Sequence, residues 1–393
     1  MGCARTLMLV SPYFSPHIGG VETYVEGLAR AVAALPGWRV VVVSTGDGPR
    51  AESSELAPDL RVYRLPALLR FSYTPLDPRW PAQLRRIIRA ERPDFVNVHT
   101  PVPGLADVAS LAAGRIPTVV TYHAASLAKP GRAGFNVTAA TYGLMELLMM
   151  RRAKLVLGVS DYVADALRKR HGDKVGVLEN AVDVTVVRNL EPRAERKYDV
   201  AFVARLDPTH AWKGLDQLLE AVRHYVTRSD SSLRVLILGD GADRARYEAK
   251  ADKLGITANV EFAGTLTGEA KFAALGECRA LVACPTSPND AFPTVLLEAW
   301  ATGLPVIATA MGPLSSLVED GVTGLLVPPL QPEALALAMR RIVTEPQLAE
   351  ELGRVAHARV RDSYTWQRRA TMFAEMLAGL AATAGSGREA ARH

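Results

Sequence analysis

Short, wholly apolar runs alternate with amphipathic stretches along most of this chain. Leu7-Met8-Leu9-Val10 is followed by a loop rich in Ser, Pro and Gly, residues 11–20, and then by helical periodicity over 21–35. A run with no polar side reads as a strand covered on both faces, and apolar spacing of three and four reads as a helix. The same reading places strands at 40–44, 61–65, 95–99, 118–123, 155–160 and 175–179, with helices such as 81–91 and 161–170 between them. Strands that alternate with helices predict a parallel, doubly wound sheet.

The rhythm breaks over 180–199, where residues 188–197 are charged and lack an apolar period; this stretch reads as a linker. It resumes with strands at 200–203, 235–238, 260–262, 281–284, 306–309 and 325–327, which predicts a second parallel sheet. After Pro332 the pattern is helical through Leu380, and 384–393 reads as a frayed tail. The expected domains are therefore 1–187 and 188–364, followed by a terminal helix, 365–384, and a disordered tail, 385–393.

Ligands in such sheets bind outside the carboxyl ends of the strands, so residues just after strands are the candidates. The densest cluster is Pro285 to Gly303, PTSPNDAFPTVLLEAWATG, a polar loop entering a short helix. Ser287, Asn289 and Asp290 are capping types and Pro293 suits a first helical turn, so the helix is expected to start near Phe292. Its free N–H groups and positive dipole end suit a phosphate or diphosphate. Glu298, one turn further on amid apolar neighbours, suits sugar hydroxyls beneath that phosphate; the plainer reading has Asp290 capping the helix and Glu298 facing solvent or an arginine. Arg205 and Lys213, in the loop after the strand at 200–203, are two cations suited to a diphosphate, or two surface charges. Gly19-Gly20 after the first strand permits close backbone approach, and His123 ends the strand at 118–123. His17 and His99 hold similar strand-end positions, and Asp207 and His210 lie between the two cations.

Composition narrows the picture. A chain of 393 residues is too long for one compact core, so two domains are the prior. The net charge of +5 is spread, with no basic run of the kind that forms a nucleic-acid arm. Arg85, Arg86 and Arg89 on the helix at 81–91 make a basic face suited to solvent or to a peripheral contact with anionic lipid. Three cysteines at no metal-like spacing point to a reducing, cytoplasmic setting, and no apolar run is long enough to span a membrane. Gly239-Asp240-Gly241-Ala242-Asp243-Arg244 carries two of the three glycines of a dinucleotide fingerprint, and neither a Walker lysine motif nor an Asp-x-Asp pair occurs.

Taken in order, Gly19-Gly20-Val21-Glu22, His123 after a threonine-rich strand, Asn180-Ala181-Val182-Asp183, Ala204-Arg205-Leu206-Asp207 with Lys213-Gly214, Leu238-Gly239-Asp240-Gly241, and Asp290-x7-Glu298 resemble the retaining glycosyltransferases of family 4. The resemblance covers nearly the whole chain. It implies the GT-B architecture: two Rossmann-like α/β domains facing a cleft, the first binding an acceptor and the second a nucleotide sugar, with a last helix packing back on the first domain. It implies retaining transfer of a hexose-type sugar from a UDP- or GDP-linked donor, with no cofactor and no divalent metal. Position by position, Arg205 and Lys213 would hold the diphosphate and Glu298 the ribose hydroxyls. Asp290 would face the hexose, with Phe292, Pro293 and Thr294 lending backbone to the site. Gly19 and Gly20 would close on the phosphates, and His123 would meet sugar and acceptor. Two departures stand out: the family usually has Glu where Asp290 stands, and the interval from Arg205 to Lys213 is two residues longer than its commonest spacing. A nucleotide-sugar epimerase or phosphorylase on the same architecture is the alternative expectation. The acceptor, whether soluble, glycan or lipid-linked, is expected near 124–142.

Overall fold

The computed structural model describes residues 4–17, 19–71, 74–124, 143, 145–187, 196–228 and 232–390, with side chains to residue 382. The chain forms two compact units, one of Met1–Ala181 with Trp366–His393 and one of Val182–Thr365. The border falls at 181/182, not at 187/188, because Val182 is already tied into the second unit: its N–H donates to the Tyr364 carbonyl at 3.0 Å, and it bridges Thr365. Most of the expected linker, 188–195, lies outside the described residues, as does 125–142.

The first unit is built on an eight-stranded sheet. Its strands are β1 (Arg5–Val10), β2 (Trp38–Thr45), β3 (Glu52–Ala57), β4 (Leu60–Leu65), and, after a two-stranded hairpin of β5 (Leu69–Phe71) and β6 (Thr74–Leu76), β7 (Phe95–Thr100), β8 (Thr118–Tyr122), β9 (Leu155–Gly158) and β10 (Val175–Val177). The order across the sheet is β10-β9-β8-β7-β1-β2-β4-β3. The pairs are parallel except β3 with β4. That antiparallel edge corrects the expectation of an all-parallel sheet. Glu52–Ala57 is polar and largely exposed, so it carries neither apolar run nor alternation; it is held by pairing with β4 along one edge and by side-chain contacts to it such as Glu55 with Arg61. Apolar residues of β1 and β2, among them Leu7, Leu9, Val41 and Val43, have no exposed surface, as both-face burial requires.

Helices α1 (Gly20–Ala33), α2 (Trp80–Glu91), α3 (Leu105–Ala112) and α4 (Asp161–His171) belong to this unit. So does the last helix of the chain, Trp366–Ala390, which packs along α1. The packing is close enough that a Cβ on Gly27 would lie 2.1 Å from the Trp366 ring. This helix continues through 385–390, part of the stretch expected to be frayed. Ala381, Ala382 and Ala384 favour propagation of a helix already anchored by the buried Ala370, Phe373 and Leu377.

The second unit holds a six-stranded parallel sheet: β11 (Tyr198–Val203), β12 (Val235–Leu238), β13 (Val260–Gly264), β14 (Cys278–Ala283), β15 (Val306–Thr309) and β16 (Gly324–Val327), in the order β13-β12-β11-β14-β15-β16. Helices α5 (Leu215–Arg228), α6 (Arg244–Lys253), α7 (Gly268–Gly276), α8 (Thr294–Ala301), α9 (Leu314–Leu317), α10 (Pro332–Thr344) and α11 (Pro346–Ser363) accompany it, and the terminal helix of the first unit is α12. The parallel part of each sheet reverses its strand order once, between β7 and β1 in the first unit and between β11 and β14 in the second. Such reversals open a crevice at the carboxyl ends of the strands.

Candidate active site

The reversal in the second unit brings together the loop after β11, which carries Arg205 and Lys213, and the loop after β14, which carries Asp290. The two loops are stitched by backbone. The Thr286 N–H donates to the Trp212 carbonyl at 2.7 Å, and Cys284 Sγ donates to the Gly214 carbonyl at 3.2 Å. Gly214 has φ +90°, and a Cβ there would lie 1.8 Å from the Cys284 carbonyl oxygen, so glycine alone fits this contact. The result is an ion pair between Lys213 Nζ and Asp290 Oδ2, both mostly shielded from solvent. The Lys213 ammonium also lies over the Trp212 ring, 4.5 Å from its centre.

Arg205 is placed differently. It pairs with Asp207 at 2.7 Å and its side chain is 59% exposed, so it can turn toward a ligand at little desolvation cost. Asp207 in turn accepts from the Ala242 N–H at 3.3 Å, which fastens the cation loop to the Gly239-Asp240-Gly241 turn. That turn is structural as it stands: a Cβ on Gly239 would meet the Ala204 carbonyl oxygen at 1.8 Å. Its two glycines let two loops touch, which accounts for the incomplete dinucleotide fingerprint.

Helix α8 begins at Thr294, two residues later than expected. Pro293 occupies the N-cap with extended backbone (φ −76°, ψ 92°), and among the described residues no side chain caps the helix. Among the described residues Ser287, Asn289 and Asp290 therefore do not cap it: the extended Pro293 holds the N-cap position instead. The Pro293 carbonyl accepts from the Leu296 N–H at 3.0 Å, while the N–H groups of Thr294 and Val295 open the helix. Phe292 is buried, its ring centre 6.3 Å from that of Tyr364. Glu298 sits about 6 Å further along the helix axis. One of its oxygens accepts from Lys271 Nζ of α7 at 2.5 Å, and its side chain is only 15% exposed. Lys271 was not singled out from sequence: α7 is a short, weakly patterned helix, and nothing local says that its lysine meets a carboxylate 27 residues away.

In the first unit the reversal gathers Gly19-Gly20 after β1, His99 near the end of β7 and His123 after β8. Gly19 is the extended N-cap of α1, whose first turn also bears Glu22. His99 Nδ1 and His123 Nε2 are 2.9 Å apart. His99 is fully buried, and burial holds its pKa well below the ordinary value; burial likewise pushes His123 down to about 3. Tyr24 of α1 sets its ring edgewise against both imidazoles and against Trp366, while its hydroxyl donates to the Leu178 carbonyl at 3.0 Å. Of the two histidines, sequence reading favoured His123; the structure makes His99 its partner. Among the described residues, no three His, Cys, Asp or Glu side chains come together in a way that could hold a metal ion, and no helix is long and apolar enough to cross a membrane.

Two Rossmann-like units, each with its ligand-competent side chains at the sheet reversal, define a GT-B glycosyltransferase. Residues 18–186 match the model of Glycosyltransferase Family 4, and residues 185–359 match that of Glycosyl transferases group 1. The chain belongs to this family of glycosyltransferases. It is similar to D-rhamnosyltransferase WbpZ of Pseudomonas aeruginosa, with 29% identity over 92% of each chain. In fold it is similar to sucrose-phosphate synthase of Thermosynechococcus elongatus, with a TM-score of 0.77 at 22% identity over 96% of this chain and 100% of that one. It is also similar to Anabaena Alr3699/HepE, solved in complex with UDP and glucose, with a TM-score of 0.71 at 20% identity over 95% of this chain and 100% of that one.

Proposed function

We propose that the protein is a retaining, metal-independent hexosyltransferase that takes its sugar from a UDP- or GDP-linked donor and passes it to an acceptor hydroxyl. The observation that carries this reading is the shielded Lys213–Asp290 pair, whose carboxylate lies in the loop that leads into α8, with Glu298 in the helix itself. A helix N-terminus and an ammonium both suit a diphosphate, and a carboxylate about 6 Å further along the helix suits a ribose. The similar structure with UDP and glucose bound, and the rhamnosyltransferase similar along its length, support a nucleotide sugar as donor and a six-carbon sugar as cargo.

In this reading Lys213 and the swinging Arg205 neutralise the charge that grows on the leaving diphosphate, which is where preorganised cations act most strongly. These two side chains supply the positive charge that a divalent ion would otherwise bring. Asp290, held by Lys213, accepts from a sugar hydroxyl. Glu298 accepts from the ribose through the oxygen that Lys271 leaves free. Backbone at Phe292, Pro293 and Thr294 frames the phosphates. In the first unit, His123 contacts sugar and acceptor, and Gly19-Gly20 offers a side-chain-free approach to phosphate. Among the described residues no carboxylate suggests itself as a nucleophile of the kind double displacement needs. We therefore assign same-face attack, with the departing phosphate taking the acceptor's proton.

The test is to incubate the protein with UDP- and GDP-hexoses and a panel of soluble, glycan and lipid-linked acceptors in the presence of a chelator, and to assign the product's anomeric centre by NMR. The expected product keeps the donor's configuration and forms without added metal. An inverted product, a requirement for metal, or an epimerised sugar in place of a glycoside would overturn the proposal.

A further inference from the structure

The pair of histidines at the sheet reversal of the first unit holds more than a contact. His99 Nδ1 and His123 Nε2 are at hydrogen-bonding distance, 2.9 Å, so one proton lies between them and one ring donates it. The direction follows from the far side of His99. Its Nε2 is buried, and among the described residues it has no hydrogen-bond partner. The hydroxyl of Tyr24, whose ring packs edgewise on His99, is engaged with the Leu178 carbonyl. If His99 carried its proton on Nε2, a buried N–H would be left with no acceptor, an arrangement native interiors avoid more strictly than a bare acceptor.

We propose that His99 is a positioning residue: it carries its proton on Nδ1, donates it to His123 Nε2, and so fixes His123 in the tautomer that bears its own proton on Nδ1. Which ring nitrogen of a histidine is protonated is set by the bond the other nitrogen makes. With Nε2 committed as an acceptor, the remaining polar group of His123 is an N–H. It gives a hydrogen bond to an oxygen of the bound sugar or acceptor and takes no proton from it. The Tyr24 ring, edgewise to both imidazoles with centroid distances of 5.8 and 4.8 Å, keeps them from turning. The assignment of the ligand side rests on the function proposed above; the tautomer itself does not.

The experiment is long-range proton–nitrogen NMR on the full chain labelled with nitrogen-15 in its eight histidines, at pH 7 without ligand. His123→Asn and His99→Gln variants assign the two rings. The expected result is a protonated Nδ1 and a bare Nε2 on both His99 and His123. A protonated Nε2 on His123, or a rapid mixture of the two tautomers, overturns the proposal. Kinetics supply the second readout. In His99→Phe the donor is gone and His123 is free to exchange tautomers, so kcat is expected to fall about tenfold or more with the donor KM little changed, as when a wrong tautomer is imposed on a catalytic imidazole. His99→Gln, which keeps an N–H donor, is expected to recover most of that loss; a His99→Phe enzyme with unaltered kcat would contradict the positioning role. If His123→Ala transfers sugar at the normal rate while the NMR shows the expected tautomer, the site reading fails and the tautomer stands.

Discussion

Arg205 and Glu298 illustrate how two charges in one site do different work. Glu298 is shielded and partnered by Lys271, and in the proposed role it meets ribose hydroxyls that do not change during transfer, so its loss is expected to weaken ground and transition states alike. Arg205 is exposed, loosely held by Asp207 and able to follow charge that develops on the leaving group. Glu298→Gln is therefore expected to raise the donor KM more than it lowers kcat, and Arg205→Ala to lower kcat by about 100-fold. Steady-state kinetics on variants whose ligand-free melting temperature matches the parent would check this; near-normal kcat in Arg205→Ala with a dead Glu298→Gln would reverse the roles. The imidazole pair makes a second residue-level prediction. The pKa values of His99 and His123 are depressed in the folded state, so the unfolded chain binds more protons as pH drops below the ordinary histidine value. Their contribution to stability is then present above the ordinary histidine value, about pH 6.5, and is lost as pH falls through the depressed values below it. Calorimetry at pH 7 and pH 5 should show the parent losing more melting temperature than His123→Gln; equal losses would mean the pair is not buried neutral.

Among elements, the strands were the most legible. Their apolar runs are long enough to identify without knowledge of their neighbours, and those at 235–238 and 306–309 appear with the bounds the pattern sets. What the pattern misses is what depends on distant partners. The polar edge strand β3 exists because β4 lies beside it, and the start of α8 moves to Thr294 because Pro293, in the N-cap position, is extended. The same holds within the site: the residue types of Arg205, Lys213, Asp290 and Glu298 are readable, but not that Asp207 would hold the first, that Lys213 would meet Asp290, or that Lys271 would hold the last. Gly214 carries the most leverage at this scale, since its positive φ and its contact with Cys284 set the course of the cation loop. Gly214→Ala is expected to cost more than about 2 kcal/mol and to weaken nucleotide binding along with stability. Chemical denaturation with a nucleotide titration would show both; a variant that binds normally would mean the loop is not set by this contact.

For the molecule as a whole, two sheets with the same internal logic account for the division of labour the family implies: imidazoles and glycines at the reversal of one unit, cations and carboxylates at that of the other. The buried thiols take no part, because burial pushes Cys278 and Cys284 up to about 12 and keeps them protonated. The central claim is that the second unit's reversal holds a nucleoside diphosphate through Lys213. A thermal-shift screen of UDP, GDP, ADP and dTDP tests it most directly, run on the parent and on Lys213→Ala. One uridine or guanosine diphosphate should stand out, stabilising the parent by about 2.7 kcal/mol at 100 times its Kd, with most of that gain lost in Lys213→Ala. An equal response to all four nucleotides, or a response that Lys213→Ala leaves intact, would contradict the account.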